Sequence, residues 1–280
     1  MNAPSRTPKA ATDMGPGGRL LCLATHHKTG TVWMRKVLHA YAAETGVPLH
    51  GCYSARKVEK LPDEGLCIVV NWSGTFPGKL WRRDEARFLH IIRDPRDVLL
   101  SGMRYHQIAK LGKEKFLQET RPEWDGLNYQ DHLKALPTDV DRLMFEMDEK
   151  HDKTVKEMLS WRWGHPRAAE LRYEDLMADP SCALFRSALT GLNIADLDTD
   201  LMVDHYWKLS LFGGLADQGA RGDVPKGHIS RAGGGKAAQW RQKMPRSVAI
   251  RYAERYGDAL KALGYANDDS WVDETPKEVA

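Results

Sequence analysis

The sequence predicts an α/β fold with a central, mostly parallel β-sheet flanked by helices. Short apolar runs of strand length alternate with amphipathic segments of helical length along the first part of the chain. Apolar runs of this kind are typical of strands buried on both faces, and their alternation with helices is typical of parallel sheets. A length of 280 residues suits one large domain of this class.

The first strand–loop–helix unit begins after Arg19. The run LLCLAT, residues 20–25, predicts a buried strand, and HHKTG predicts a glycine-containing turn. The following segment, TVWMRKVLHAYAAETG, has apolar residues at helical spacing and predicts a helix that Gly46 and Pro48 end.

Two further strands are predicted at residues 66–70 (LCIVV) and 88–92 (FLHII). The second runs directly into RDPRDVLLSG. Asp94 is a suitable N-cap there, and Pro95 is tolerated at the first helical position, so a second strand–loop–helix unit is predicted.

The remaining chain is less regular. Residues 107–170 are predicted to be mostly helical with breaks near Pro122 and Pro137, and a last helix is predicted from about Pro245 to Leu263. Between them lies a long segment rich in glycine and basic residues, 211–240, which is predicted to be a loop of the kind that carries binding function. We expect an N-terminal arm at 1–18, a single domain at 19–265 and an acidic tail at 266–280.

Composition excludes several classes of partner. The 41 lysines and arginines nearly balance the 38 aspartates and glutamates, which argues against a general nucleic-acid binder. No stretch approaches the ~20 apolar residues of a membrane span. The four cysteines have no zinc-ligand spacing and no secretory signal accompanies them, so we read Cys22 and Cys67 as buried thiols. We expect a cytoplasmic protein without nucleic-acid or membrane partners.

The segment THHKTGTVW, residues 25–33, predicts an anion-binding loop. A strand end, a glycine turn and a helix N-terminus together direct unpaired backbone N–H groups at a ligand. Lys28 adds a mobile positive charge, and Thr29 and Thr31 add hydroxyl groups. A nucleoside-triphosphate loop of the Walker A type has its lysine after the second glycine, whereas this lysine precedes Gly30 by two residues.

Four segments resemble motifs of the cytosolic sulfotransferases, in the same order. KTGTVW resembles the 5′-phosphosulfate loop PKSGTTW, and RDPRDVLLSG at 93–102 resembles the 3′-phosphate motif RNPKDVAVSY. LRYEDLMADP at 171–180 is similar to LxYEDLxxDP, and HISRAGGGKAAQW at 228–240 is similar to the closing loop RKGxxGDW. The resemblance spans about residues 20–260 and implies the P-loop-like sulfotransferase architecture.

The resemblance also implies a function. Sulfotransferases move a sulfuryl group from 3′-phosphoadenosine 5′-phosphosulfate (PAPS) to an acceptor hydroxyl or amine, leaving 3′-phosphoadenosine 5′-phosphate (PAP). Lys28 would neutralise the charge on the departing oxygen, and no metal is expected because lysine and arginine supply the positive charge. The donor-binding residues that the resemblance implies are Lys28, Thr29, Gly30, Thr31, Val32, Trp33, Arg93, Ser101, Tyr173, Phe212, Arg231 and Gly233.

Four of these residues also have an alternative reading from the sequence. Ser101 fits an ordinary helix position, and Tyr173 fits a core aromatic. Arg93 fits an ion pair with Asp94 or Asp97 on the protein surface. Trp33 fits a core position on an amphipathic helix.

The general base is not evident from the sequence. Many family members carry a histidine in a KTHLP segment, but the corresponding stretch here, NWSGTFP at 71–77, has none. We take His27, adjacent to Lys28, as the catalytic candidate. The alternatives are His26, His106, Glu59 and Asp63.

Two other functions stay open. One is a small-molecule kinase that uses a magnesium–nucleotide complex, and the other is a non-catalytic nucleotide-binding relative that lacks the base. The acceptor, a small molecule or a biopolymer, has no readable signature in the sequence, and neither has the oligomeric state.

Overall fold

The computed structural model describes residues 17–112, 114–217 and 236–277. These residues form two compact units. The sheet unit contains residues 17–93 and 157–217, and the helical unit contains residues 94–112, 114–156 and 236–277. Within the described residues, no helix has both the length and the apolar character that crossing a membrane requires.

The strands of the sheet unit form one parallel sheet. Within the described chain the sheet has five strands in the order β2-β3-β1-β4-β5, and every neighbouring pair is parallel. This confirms the predicted α/β class. The strands are β1, Leu20–Ala24; β2, Leu49–Gly51; β3, Cys67–Asn71; β4, Ala86–Ile92; and β5, Ala168–Arg172.

The helices agree with the predicted pattern in part: much of 107–170 is helical, but β5 begins within that range at Ala168. The segments between the strands and after β5 are mainly helical, with short 3-10 turns at Lys115–Gln118 and Pro122–Trp124. The helices are α1, Thr31–Thr45; α2, Ala55–Val58; α3, Gly78–Trp81; α4, Pro95–Ile108; α5, Tyr129–Ala135; α6, Asp139–Glu146; α7, Asp152–Leu159; α8, Tyr173–Met177; α9, Ala183–Leu192; α10, Thr199–Lys208; α11, Gly214–Asp217; α12, Trp240–Lys243; and α13, Arg246–Ala262.

Side chains alternate between the two faces of the sheet along each strand. Because successive residues of the strands are mostly apolar, both faces of the sheet are apolar. Leu21 and Leu23 of β1 lie in one cluster with Phe185 of α9. Leu20 and Cys22 lie in the other cluster, on the opposite face. The central strand β1 is therefore fully buried, and its carboxyl end is held rigidly between those of β3 and β4.

Helix α1 begins and ends as predicted. Gly30 precedes it in the left-handed conformation, and Gly46 follows it at φ 75°, where its N–H donates to Ala42 O. The buried residues are Met34, Val37, Leu38 and Tyr41, at the spacing of one helical face.

The helical unit has its own apolar core, made by α4, α5, α6 and α13. Asp94 caps α4 as predicted, because its carboxylate accepts from Arg96 N. The Arg96 guanidinium packs on two indole rings, 3.8 Å from the Trp240 centroid and 4.7 Å from that of Trp271. Trp271, within the segment predicted as an acidic tail, is buried in this core.

Candidate functional site

The loop between β1 and α1 is held by hydrogen bonds among its own residues. Thr29 is buried, and its Oγ1 accepts a hydrogen bond from His26 N at 2.8 Å. As a donor, the same hydroxyl lies within reach of two carbonyl oxygens, His26 O at 3.0 Å and Ile91 O at 3.3 Å. Thr31 Oγ1 donates to His26 O at 2.8 Å and lies 2.7 Å from Thr25 Oγ1. The threonine hydroxyls therefore shape the loop, and backbone N–H groups are the donors that it offers to an anion.

The backbone of the loop turns sharply at two residues. Lys28 has φ 64° and Gly30 has φ 100°. For a non-glycine residue such as Lys28, the left-handed backbone conformation costs about 1–3 kcal/mol of conformational free energy, and residues strained in this way are frequent at functional sites. No side chain caps α1 at Gly30, so the first N–H groups of the helix, at Thr31, Val32 and Trp33, have no intrahelical acceptor and form its positive end.

Arg93 and Tyr173 lie against this loop. Arg93 follows β4, is buried, and donates from Nη1 to Lys28 O at 3.3 Å. Its guanidinium carbon lies 4.8 Å from the centroid of the Tyr173 ring. A Cβ on Gly30 would lie 3.3 Å from Tyr173 Cδ2, so the tyrosine ring also packs on the loop.

These three contacts join the ends of three neighbouring strands. Lys28 follows β1, Arg93 follows β4, and Tyr173 follows β5, and these strands are adjacent in the sheet. Ligands of open α/β sheets bind outside the carboxyl ends of the strands. The structure thus brings together residues from three motifs that lie far apart in the sequence. Asp94, the alternative ion-pair partner of Arg93, pairs with Arg96 at 2.7 Å.

Trp33 and Phe212 belong to an aromatic group. The Trp33 ring stacks on Tyr206 at 4.3 Å and meets Phe212 edge to face at 5.6 Å. The Trp33 indole N–H donates to Tyr206 O at 3.3 Å, which fixes the plane of the ring. Both Trp33 and Phe212 are half-buried, so their rings keep exposed surface while they pack on the core.

The two loop histidines differ. His26 is fully buried, and its Nε2 lies 2.8 Å from Nε2 of His90. Burial lowers the pKa of His26 to about 3, so this imidazole is neutral and a poor proton acceptor. His27 is half-buried and lies between His26 and Lys28 in the chain. The partner of His26, which sequence reasoning missed, has one signal in the sequence, a histidine inside the apolar run FLHII.

The other candidate bases have different surroundings. Glu59 is exposed and forms an ion pair with Lys79 at 2.7 Å, which lowers the pKa of the Glu59 carboxyl. Asp63 is exposed.

In the helical unit, His106 is buried and bonds through Nδ1 to Glu146 Oε2 at 2.7 Å, and Tyr129 donates to the same oxygen at 2.8 Å. A π-helical turn, Met147–His151, directly follows Glu146. Turns of this type are frequent near functional residues. Ser101 is half-buried on α4 in the same unit. Arg231 and Gly233 lie outside the described residues.

Gly30→Ala is expected to destabilise the sheet unit by about 1–3 kcal/mol, because an L-residue is strained at φ 100° and its Cβ would press on Tyr173. Gly65→Ala is the matched control, since Gly65 also has positive φ but no neighbour within 4 Å of a Cβ. Urea unfolding of both variants measures the difference. Equal losses would mean that the contact with Tyr173 contributes nothing.

The solved structure of mouse sulfotransferase SULT7A1 complexed with PAP superposes on this chain with a TM-score of 0.50. The match covers 91% of this chain and 87% of that chain, at 14% sequence identity. The chain has the sulfotransferase fold. At this identity the likeness concerns the fold alone, and it confirms the fold that the four motifs imply.

Two other solved structures match with TM-scores below 0.5. Retinol dehydratase in a complex with retinol and PAP matches with a TM-score of 0.44 and 16% identity, over 90% of this chain and 84% of that chain. A sulfotransferase from Alicyclobacillus acidocaldarius matches with a TM-score of 0.40 and 11% identity, over 89% of this chain and 94% of that chain. No protein-family model and no curated protein sequence matches the chain.

Proposed function

We propose that this protein is a sulfotransferase that moves a sulfuryl group from PAPS to a hydroxyl or amine of an acceptor. The observation that supports this most directly is the meeting of three motifs in the sheet unit. Arg93 donates to the carbonyl of Lys28, and Tyr173 packs on both Arg93 and Gly30. The fold shared with a sulfotransferase solved with PAP adds support.

The donor has two separated anionic groups, and the proposal assigns one element to each. The N–H groups at the start of α1 and the amine of Lys28 bind the phosphosulfate end. The Arg93 guanidinium, whose planar fork suits a phosphate monoester, binds the 3′-phosphate. The half-buried rings of Trp33 and Phe212 provide a stacking surface for adenine. Ser101, Arg231 and Gly233 stay predictions from the resemblance.

Sulfuryl transfer makes demands like those of phosphoryl transfer. The acceptor oxygen or nitrogen forms a bond to sulfur while the bond from sulfur to the bridging phosphate oxygen breaks, and PAP leaves with that oxygen. Lys28 offsets the negative charge that develops on the departing oxygen.

The proton of the acceptor passes to a base, for which we propose His27. Of the two loop histidines, His26 is committed to His90, whereas His27 is half-buried and adjoins Lys28. A base must reach the acceptor, so the partly exposed imidazole is the better candidate.

We also propose that the protein acts in the cytoplasm on a small-molecule or biopolymer acceptor. Its four cysteines, Cys22, Cys52, Cys67 and Cys182, are buried free thiols. Burial of Cys22 and Cys67 was predicted from their strand positions. Free thiols are typical of reducing compartments.

Ligand-dependent thermal stability and transfer activity test the proposed function together. PAP is expected to raise the melting temperature of the wild-type protein, and radiolabelled sulfate from PAPS should appear on at least one compound of an acceptor panel. Stabilisation by ATP with magnesium but not by PAP would favour the kinase. Binding of PAP without transfer to any phenol, alcohol, sugar, peptide or amine would favour the non-catalytic relative.

A further inference from the structure

A buried pair of imidazoles lies directly behind the anion loop. His26, in the loop, and His90, on β4, are both 0% exposed, and their Nε2 atoms are 2.8 Å apart. A hydrogen bond between two imidazole nitrogens needs one donor and one acceptor, so the accepting ring is neutral, and two neutral rings must hold complementary tautomers. Desolvation keeps them neutral, because burial lowers the pKa of each.

His90 is fixed from behind by aromatic side chains. Its ring stacks on Trp161 at 4.0 Å with an interplanar angle of 18°, and Trp163 meets it at 5.2 Å and 61°. Trp161 is itself buried, and its indole N–H donates to Glu170 Oε1 at 3.3 Å. Stacking therefore fixes the plane of the His90 ring, and in that plane Nε2 bonds to His26.

The backbone carbonyl of His26 accepts several of the hydrogen bonds that hold the loop together. The oxygen accepts from Thr29 N at 3.2 Å, from Thr29 Oγ1 at 3.0 Å and from Thr31 Oγ1 at 2.8 Å. The backbone of Gly74 packs closely on the His26 ring and limits its movement. A Cβ added to Gly74 would lie only 2.4 Å from His26 Cε1. We therefore infer that a displaced His26 ring would shift its own backbone and with it the turn at Lys28, Thr29 and Gly30.

We propose that His90 is a positioning residue for donor binding. Acting through the ring of His26, it holds residues 26–30 in the conformation that presents the N–H groups of α1 and the amine of Lys28. This role rests on the proposed function, since it names what keeps the donor loop in shape. His90 itself touches no ligand in this account.

Two substitutions at the same position separate hydrogen bonding from packing. His90→Phe keeps a flat ring against Trp161 and removes the hydrogen bond to His26. His90→Gln loses the stacking but places an amide at about the distance of the imidazole Nε2, so it restores a partner for His26. The matched control is His151→Phe in the helical unit, because His151 is also buried and its Nε2 bonds to Tyr252 OH at 2.8 Å.

PAP affinity, measured by calorimetry below the melting temperature of every variant, is the first readout. His90→Phe is expected to bind PAP about tenfold more weakly than wild type, whereas His90→Gln should stay within about threefold. His151→Phe should lower the melting temperature and leave PAP affinity unchanged. Equal PAP affinity for His90→Phe and wild type would overturn the proposal.

Amide hydrogen exchange of residues 26–33 without nucleotide is the second readout, and it does not depend on the proposed function. His90→Phe should exchange faster than wild type in this segment, and His151→Phe should not. If wild-type protein fails to bind PAP, the proposed function fails, and the exchange data alone then decide whether His90 holds the loop. Should His90→Phe not fold, the same comparison is made between His90→Gln and wild type, where protection close to wild type is required.

Discussion

Replacing Lys28 with alanine is expected to lower the rate of sulfuryl transfer by about 100- to 1,000-fold. The expected loss is large because, in the proposed mechanism, the amine is the positive charge that the loop adds beside the bond that breaks. Lys28 is only half-buried, so the fold should persist. Steady-state kcat with labelled PAPS and an acceptor from the panel measures the effect, and the melting temperature reports on the fold.

Further substitutions assign the loss to the amine. Lys28→Gly relieves the left-handed backbone at φ 64° but also lacks the amine, so it should be as inactive as alanine. Lys36→Ala removes the same charge from α1 and should retain near wild-type activity. The proposed role of Lys28 is wrong if the alanine variant keeps half of the wild-type kcat.

Acidification is expected to destabilise the sheet unit at pH values where most carboxylates are still ionised. The pKa of His26 falls from 6.5 to about 3 in the folded protein, and burial also lowers that of His90. The folded state therefore binds fewer protons than the unfolded state, and stability falls as pH falls below about 6.5. At pH 5 the neutral imidazole of His26 accounts for a loss of about 2 kcal/mol relative to neutral pH, and His90 adds a loss in the same direction.

Urea unfolding followed by tryptophan fluorescence at several values between pH 8 and pH 5 measures this slope. His90→Phe removes one of the two titrating rings, so its stability should depend less steeply on pH. His39→Gln removes an exposed histidine of α1 and should keep the wild-type slope. A free energy of unfolding that stays constant from pH 8 to pH 5 would contradict the assignment of two neutral buried rings.

The sheet and the anion loop were predictable because their signals are local. Apolar runs mark β1, β3 and β4, and glycines mark both ends of α1. Carboxyl ends of neighbouring parallel strands meet at one edge, so the approach of Arg93 to Lys28 followed from the motifs and the fold class together.

Other features depend on contacts between distant residues. His26 and His90 meet only because the register of β1 and β4 pairs Ala24 with His90, and periodicity does not reveal that register. The strand Leu49–Gly51 has three residues, too few for a pattern. Trp271 lies in an acidic segment, and its burial depends on Arg96 and Trp240, which the sequence places far away.

The internal hydrogen bonds of the loop bear on the thermodynamics of ligand capture. Because Thr29 and Thr31 direct their hydroxyls to His26, the loop has its shape before a ligand arrives. The conformational entropy of ordering these residues is therefore lost when the chain folds and not when the nucleotide docks. If the chain binds the proposed donor, we expect little reordering of the loop and a binding enthalpy dominated by charge-assisted hydrogen bonds.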